Sequence, residues 1–226
     1  MKISLRTALA LAMGVLLALP LSSAFAQDIN TMPVPKAEVS AGYAFMRDMS
    51  KRELTGFDHV NFPAGWYATG AFNPTEWFGL VGEVAGNYRN DLNFDLGEVF
   101  EEPSLTGLSV GTGDVHQYTA LGGVRFFHKF GRVVPFGQLL AGVVHVRTTQ
   151  TPSALGTEFG LELEKNTDNN LGIQPGGGVT VYLTERMGVR VAADYRSMID
   201  FNSADTNDYY NAIRIVSGFT LQWAGR

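Results

Sequence analysis

The sequence predicts an all-β fold, an eight-stranded antiparallel up-and-down transmembrane β-barrel, and three observations predict it. Beyond the first 35 residues, eight segments alternate apolar and polar side chains with a period of two, the period of a strand. Three short and four long polar gaps separate these segments in strict alternation. The faces are also inverted relative to a soluble sheet: charged residues share one face, and the other is mostly apolar. A barrel in lipid has this inversion, with tight turns on the periplasmic side and long loops outside. The short gaps centre on Asn73-Pro74-Thr75-Glu76, His128-Lys129-Phe130-Gly131-Arg132 and Thr184-Glu185-Arg186; the long ones cover 47–65, 87–115, 147–170 and 197–207.

Residues 1–26 read as a signal peptide. Lys2 and Arg6 form a basic start, 9–21 is apolar, and Ala24-Phe25-Ala26 is a cleavage site, so the mature chain is expected to be one domain, 27–226. No other stretch approaches the roughly 18 apolar residues of a spanning helix. Removing Lys2 and Arg6 from the 17 basic residues leaves 15 against 22 acidic ones, which argues against nucleic acid as a partner. There is no cysteine, hence no disulfide and no thiolate metal site.

The first five predicted strands are 36–46, 65–72, 77–86, 116–127 and 133–146. In the third, Phe78, Leu80, Val84 and Tyr88 face out and Glu83 faces in; in the fourth, Tyr118, Ala120, Val124 and Phe126 face out and Thr119 and Arg125 face in. The fifth places Gln138 inside, but Leu139-Leu140 and Val143-Val144 are apolar on both faces. In the sixth, Leu171, Ile173, Val179, Val181 and Leu183 oppose Gln174, Thr180 and Tyr182; its Gly176-Gly177-Gly178 run suits tight curvature beside large inward neighbours. The seventh is the clearest: Val189, Val191, Ala193 and Tyr195 against Arg190, Ala192, Asp194 and Arg196. The eighth sets Ile213, Ile215, Phe219, Leu221 and Trp223 against Arg214, Val216, Gly218, Thr220 and Gln222.

Aromatics gather at both ends of these segments. Phe72, Trp77, Phe78, Phe126 and Trp223 adjoin short turns; Tyr43, Phe45, Trp66, Tyr88, Tyr118, Tyr195 and Tyr209 lie towards long loops. Two girdles at lipid–water boundaries have this pattern.

Val39-Ser40-Ala41-Gly42-Tyr43, Trp77-Phe78-Gly79-Leu80-Val81-Gly82-Glu83, Gly122-Gly123-Val124-Arg125-Phe126, Val134-Pro135-Phe136-Gly137-Gln138, Gly176-Gly177-Gly178-Val179 and Ile213-Arg214-Ile215 follow one another along the chain. This ordered set resembles the eight-stranded outer-membrane barrels of the OmpA/OmpX type, in their barrel-only form, over nearly all of 27–223. The resemblance implies a bacterial outer-membrane location and delivery by the barrel-assembly machinery. It also implies a sorting signal in the last strand, carried by Gly218, Phe219, Leu221 and Trp223. Here Val216 stands where the family has a polar residue, and the chain continues past the closing aromatic.

Chemistry has three places to sit. The interior carries Glu83, Arg125, Gln138, Gln174, Arg190, Asp194, Arg196 and Arg214. Neighbouring strands let Glu83 meet Arg125 and Asp194 meet Arg214, either as a gated polar path or as a lumen packed with ion pairs, since eight strands leave room for little but side chains. His116 and His145 come opposite each other at the outer rim if the hairpin folds about 130–131. With Asp114 or Ser109 they could hold a metal or activate a nucleophile, or serve as polar aromatics at headgroup level. The acidic second loop (Asp91, Asp95, Glu98, Glu101, Glu102) offers cation binding shared with lipopolysaccharide, contact with an outside partner, or a solvated loop.

The resulting expectation is an integral outer-membrane protein in contact with lipids and lipopolysaccharide, acting through its long loops, with no catalysis, cofactor or metal. A narrow porin-like channel for small solutes and a lipid A-modifying enzyme are the alternatives.

Overall fold

The computed structural model describes residues 35–49, 61–95, 109–158, 162, 164–199 and 209–224. Among them are nine strands and one short helix: β1 (Pro35–Asp48), β2 (Asn61–Phe62), β3 (Ala64–Phe72), β4 (Phe78–Asp95), β5 (Ser109–Phe127), β6 (Val133–Pro152), α1 (Ala154–Glu158), β7 (Glu164–Tyr182), β8 (Met187–Ile199) and β9 (Tyr209–Ala224). Pro63 interrupts β2 and β3, which both pair with β1 and together form one stave, so the barrel has eight. All pairings are antiparallel between neighbours, and β1 closes the ring on β9 from Pro35↔Ala224 to Asp48↔Ala212.

Each tight turn has a local cause. In the first and third, a threonine hydroxyl accepts the backbone N–H three residues on: Thr75 from Phe78 and Thr184 from Met187, both at 3.0 Å. The second is a reversal between Phe130 and Val133, with Gly131 at φ 60°, where a side chain would be strained.

The barrel's stagger fixes its width. Partners traced from Val39 through Gly70, Gly82, Gly122, Ala141, Ile173 and Ser197 lead to Asn211, whose carbonyl accepts from the N–H of Met49 at 2.7 Å. One circuit therefore climbs β1 from residue 39 to residue 49, a shear of ten residues. For eight strands this gives a tilt of about 40° and a backbone radius of about 8 Å, which side chains fill.

Parity sorts the residues as period two requires. Val39, Tyr43, Leu80, Val84, Leu139, Val143, Tyr195, Ile213, Phe219 and Trp223 are exposed on the outside. So continuous an apolar exterior is far larger than a soluble monomer shows. The double-apolar stretch of the fifth predicted strand resolves the same way: Leu140 and Val144 are fully buried inside, Leu139 and Val143 are outside. Leu140 joins Ala71, Val81 and Leu121 in an apolar patch of the inner wall.

The strands outrun the sequence expectation. β4 reaches Asp95 and β5 begins at Ser109, while β6 reaches Pro152 and β7 begins at Glu164. Much of two predicted long loops is strand. Arg147-Thr148-Thr149-Gln150 and Lys165-Asn166-Thr167-Asp168-Asn169 have no apolar alternation for period two to register, and ladder pairing alone extends them. Asn61–Phe62, expected in a loop, also pairs. The signal peptide and residues 96–108, with most of the acidic second loop, lie outside the described residues.

Candidate functional site

The lumen is built on two levels. At the short-turn end, Glu38 on β1 pairs with Arg125 on β5 and with Arg190 on β8, the latter at 2.6 Å. The Tyr182 hydroxyl donates to the second oxygen of Glu38 at 3.1 Å. The Arg190 fork also donates to Thr180 Oγ1 (3.0 Å) and Thr69 Oγ1 (3.4 Å). The Phe136 ring lies near both guanidiniums, 4.6 Å from that of Arg125 and 4.7 Å from that of Arg190, so its π-face assists two cations that share one carboxylate.

At mid-height, Arg214 on β9 binds Glu83 on β4 (2.7 Å) and Asp194 on β8 (2.8 Å). Arg196 reaches the carbonyl oxygens of two amides, Gln174 (2.9 Å) and Gln117 (3.1 Å), with Glu83 at 4.0 Å. Gln174 donates on to Glu83 at 3.2 Å. Gln138 joins the levels: its oxygen accepts from Arg125 at 3.1 Å and its amide donates to Asp194 at 3.2 Å. Gly176 stands opposite Asp194, and a Cβ there would collide with the carboxylate. Met46 and Met198 pack above, against Arg196 and Gln117.

All eight interior residues read from the sequence are at most 8% exposed. One expected pair is corrected. Glu83 does not meet Arg125: Glu83 lies opposite Leu121, and Arg125 lies opposite Gly79, four residues nearer the turn. Each finds its partner across the lumen instead. The sequence reading placed Tyr182 on the inward face but missed Glu38, Gln117 and Thr69. Glu38 was legible, because it shares parity with Ser40 and opposes Val39 in the first segment.

The outer rim is a separate cluster on the outside of β4–β7. His116 stands opposite Arg147, and His145 stands opposite Tyr118. The two histidines are thus diagonal and not opposite, because the turn centres between Gly131 and Arg132. Each is held by an asparagine of the next strand: His116 Nε2 by Asn90 Oδ1 (3.2 Å), His145 Nδ1 by Asn169 Oδ1 (2.8 Å). The Tyr88 ring meets His116 and Tyr118 edge-on at 5.3 and 5.8 Å, and Trp66 Nε1 donates to the Tyr88 hydroxyl at 2.9 Å. Among the described residues no group of three His, Asp or Glu side chains is placed to hold a metal ion. The Ser109 side chain is outside the described set.

The short-turn end carries the other aromatic cluster. Trp77 stacks on Phe126 at 6.0 Å, and Phe78 is tilted against both at 5.9 and 5.5 Å. Trp77, just before β4, and Tyr88, within it, are eleven residues apart, about 28 Å along the axis at this tilt, close to the apolar height of an outer-membrane barrel.

No protein-family model and no curated protein matches the chain. Solved structures do. The chain is similar to Ail, the attachment invasion locus protein of Yersinia pestis: TM-score 0.53 and 19% identity, over 82% of this chain and 98% of that one. It is also similar to Neisserial surface protein A: TM-score 0.53 and 8% identity, over 83% and 97%. With its closed ring of eight staves, the chain has the fold of the eight-stranded outer-membrane β-barrels.

Proposed function

We propose that this is an integral protein of the bacterial outer membrane that acts by surface interaction through its long-loop end, without catalysis. One observation carries the reading: fully buried Arg196, Arg214 and Gln174 fill the lumen at mid-height, while among the described residues β5, β6 and β7 rise well past the upper aromatics. Among the described residues, β7 pairs with β8 up to Leu171↔Ile199 and with β6 as far as Glu164↔Gln150, and β5 follows β6 to Gly111↔Pro152. The top of this wall is polar on both faces, with Thr148, Gln150 and Asn166 alternating with Arg147, Thr149, Lys165 and Thr167. Ser153 caps α1 at the wall's top, its hydroxyl accepting from Gly156 N–H at 3.2 Å. A closed lumen transmits little, so among the described residues the raised wall is a part that meets the surroundings.

The apolar exterior and the two aromatic belts support the membrane location. Outer-membrane fractionation and faster gel migration of unboiled protein test it; a freely soluble, boiling-insensitive chain overturns it. Biotinylation of Lys165 on intact cells tests the orientation, and labelling only after lysis reverses it. Planar bilayers test the channel alternative. The ion-paired lumen predicts no discrete conductance, and steps that change on substituting Arg125 or Arg190 would establish a channel instead.

A further inference from the structure

We infer that Arg147, His116 and His145 form a site for the phosphate of an outer-leaflet lipid headgroup, with Tyr88 and Tyr118 as its floor. The site occupies two rows on adjacent strands. His116 and Arg147 make the upper row, Tyr118 and His145 the lower, and Tyr88 adjoins His116 from β4. Rows two residues apart on strands about 4.8 Å apart enclose a patch some 5–7 Å across, the size of one phosphate with its first sugar or glycerol carbons.

Arg147 is exposed on this face and supplies a planar fork suited to phosphate oxygens. The asparagines hold both imidazole rings in place, and the edge-on contacts hold Tyr88 against His116 and Tyr118. Asp114 is a carboxylate of this face among the described residues. It lies opposite Thr149, one row further from the tyrosines, and has contacts of its own. The row of His116 and Arg147 is thus on the tyrosine side of it.

Depth selects the occupant. The patch faces away from the lumen, directly above the upper aromatic belt. In an outer membrane that is the headgroup layer, which a lipid reaches and a soluble partner docking on the wall's tip does not. Arg47 is the comparison. It lies towards the same end of β1, between Ile213 and Asn61, without imidazole or tyrosine neighbours in register.

The inference rests on the membrane reading above, and one experiment separates the two. The full chain is refolded into phosphatidylcholine vesicles, insertion is scored by gel migration, and retention of phosphatidic acid, a phosphomonoester lipid, is measured by native mass spectrometry after extraction. Wild type should retain it about tenfold better than Arg147→Gln or the His116→Phe/His145→Phe pair, with Arg47→Gln like wild type. Insertion with equal retention by all variants, or an equal loss in Arg47→Gln, overturns the site alone. Failure to insert overturns the membrane reading and the site together.

Discussion

At the short-turn end of the lumen one carboxylate, Glu38, serves two guanidiniums; at mid-height two carboxylates, Glu83 and Asp194, flank Arg214, with Arg196 beside them. The first arrangement has an excess cation and spreads it over Phe136, Thr180 and Gln138, while Tyr182 donates to the shared carboxylate. The second balances charge and uses amides to orient Arg196. The comparison teaches that an interior of this radius can hold ion pairs in either stoichiometry, provided aromatic faces or amides take up what the carboxylates leave. It also says where the barrel is most vulnerable: at the lone carboxylate.

Glu38→Gln should therefore have the largest effect. It strands two buried guanidiniums, and loss of one partner from a buried pair costs about 3–5 kcal/mol. Urea unfolding in lipid vesicles, followed by tryptophan fluorescence, measures it. A loss smaller than that of Asp194→Asn would break the comparison, because Asp194→Asn leaves Glu83 on Arg214.

At mid-height, Arg214→Gln alone should destabilise by about 3 kcal/mol, and combining it with Asp194→Asn should recover part of that loss, since neutralising both ends removes the stranded charge. A double-mutant cycle in the same assay decides; strict additivity would mean that the pair is not coupled.

Gly176→Ala should cost about 1–3 kcal/mol, through displacement of the Asp194 carboxylate. The same change at Gly82, where a Cβ meets nothing within 4 Å, is the neutral control. Phe136→Leu keeps apolar volume but removes the π-face, and should cost about 1–2 kcal/mol. That loss should shrink when Arg190 is already substituted by Gln; an unchanged loss would assign Phe136 to packing alone. Arg147→Gln, on the exposed rim, should shift stability by less than about 0.5 kcal/mol and so separates the rim's binding role from the lumen's structural one.

Much of the barrel was legible because a strand repeats every two residues. Parity alone placed Arg190, Asp194, Arg196 and Arg214 inside and Val189, Tyr195, Ile213 and Trp223 outside. The three tight turns were legible from Asn-Pro-Thr-Glu, Phe-Gly-Arg and Thr-Glu-Arg. Strand extensions such as Arg147-Thr148-Thr149-Gln150 were not, because both of their faces are polar and period two is silent there. At the rim, placing His145 opposite His116 missed by two residues, an error that preserves parity and so left both histidines on the outer face.

The sequence by itself determined the number of staves, which side chains face in, and the alternation of short turns with long loops, because these depend only on local period and gap length. The tertiary structure decided who meets whom. Glu83 and Arg125 sit on neighbouring strands, yet the register puts Gly79 opposite Arg125, and a backbone radius of about 8 Å lets long side chains reach strands that are not neighbours. Glu38 therefore pairs with β5 and β8, and Glu83 with β9. Parity is a property of one strand, whereas pairing across a closed barrel depends on a shear summed over all eight staves, which no single segment encodes.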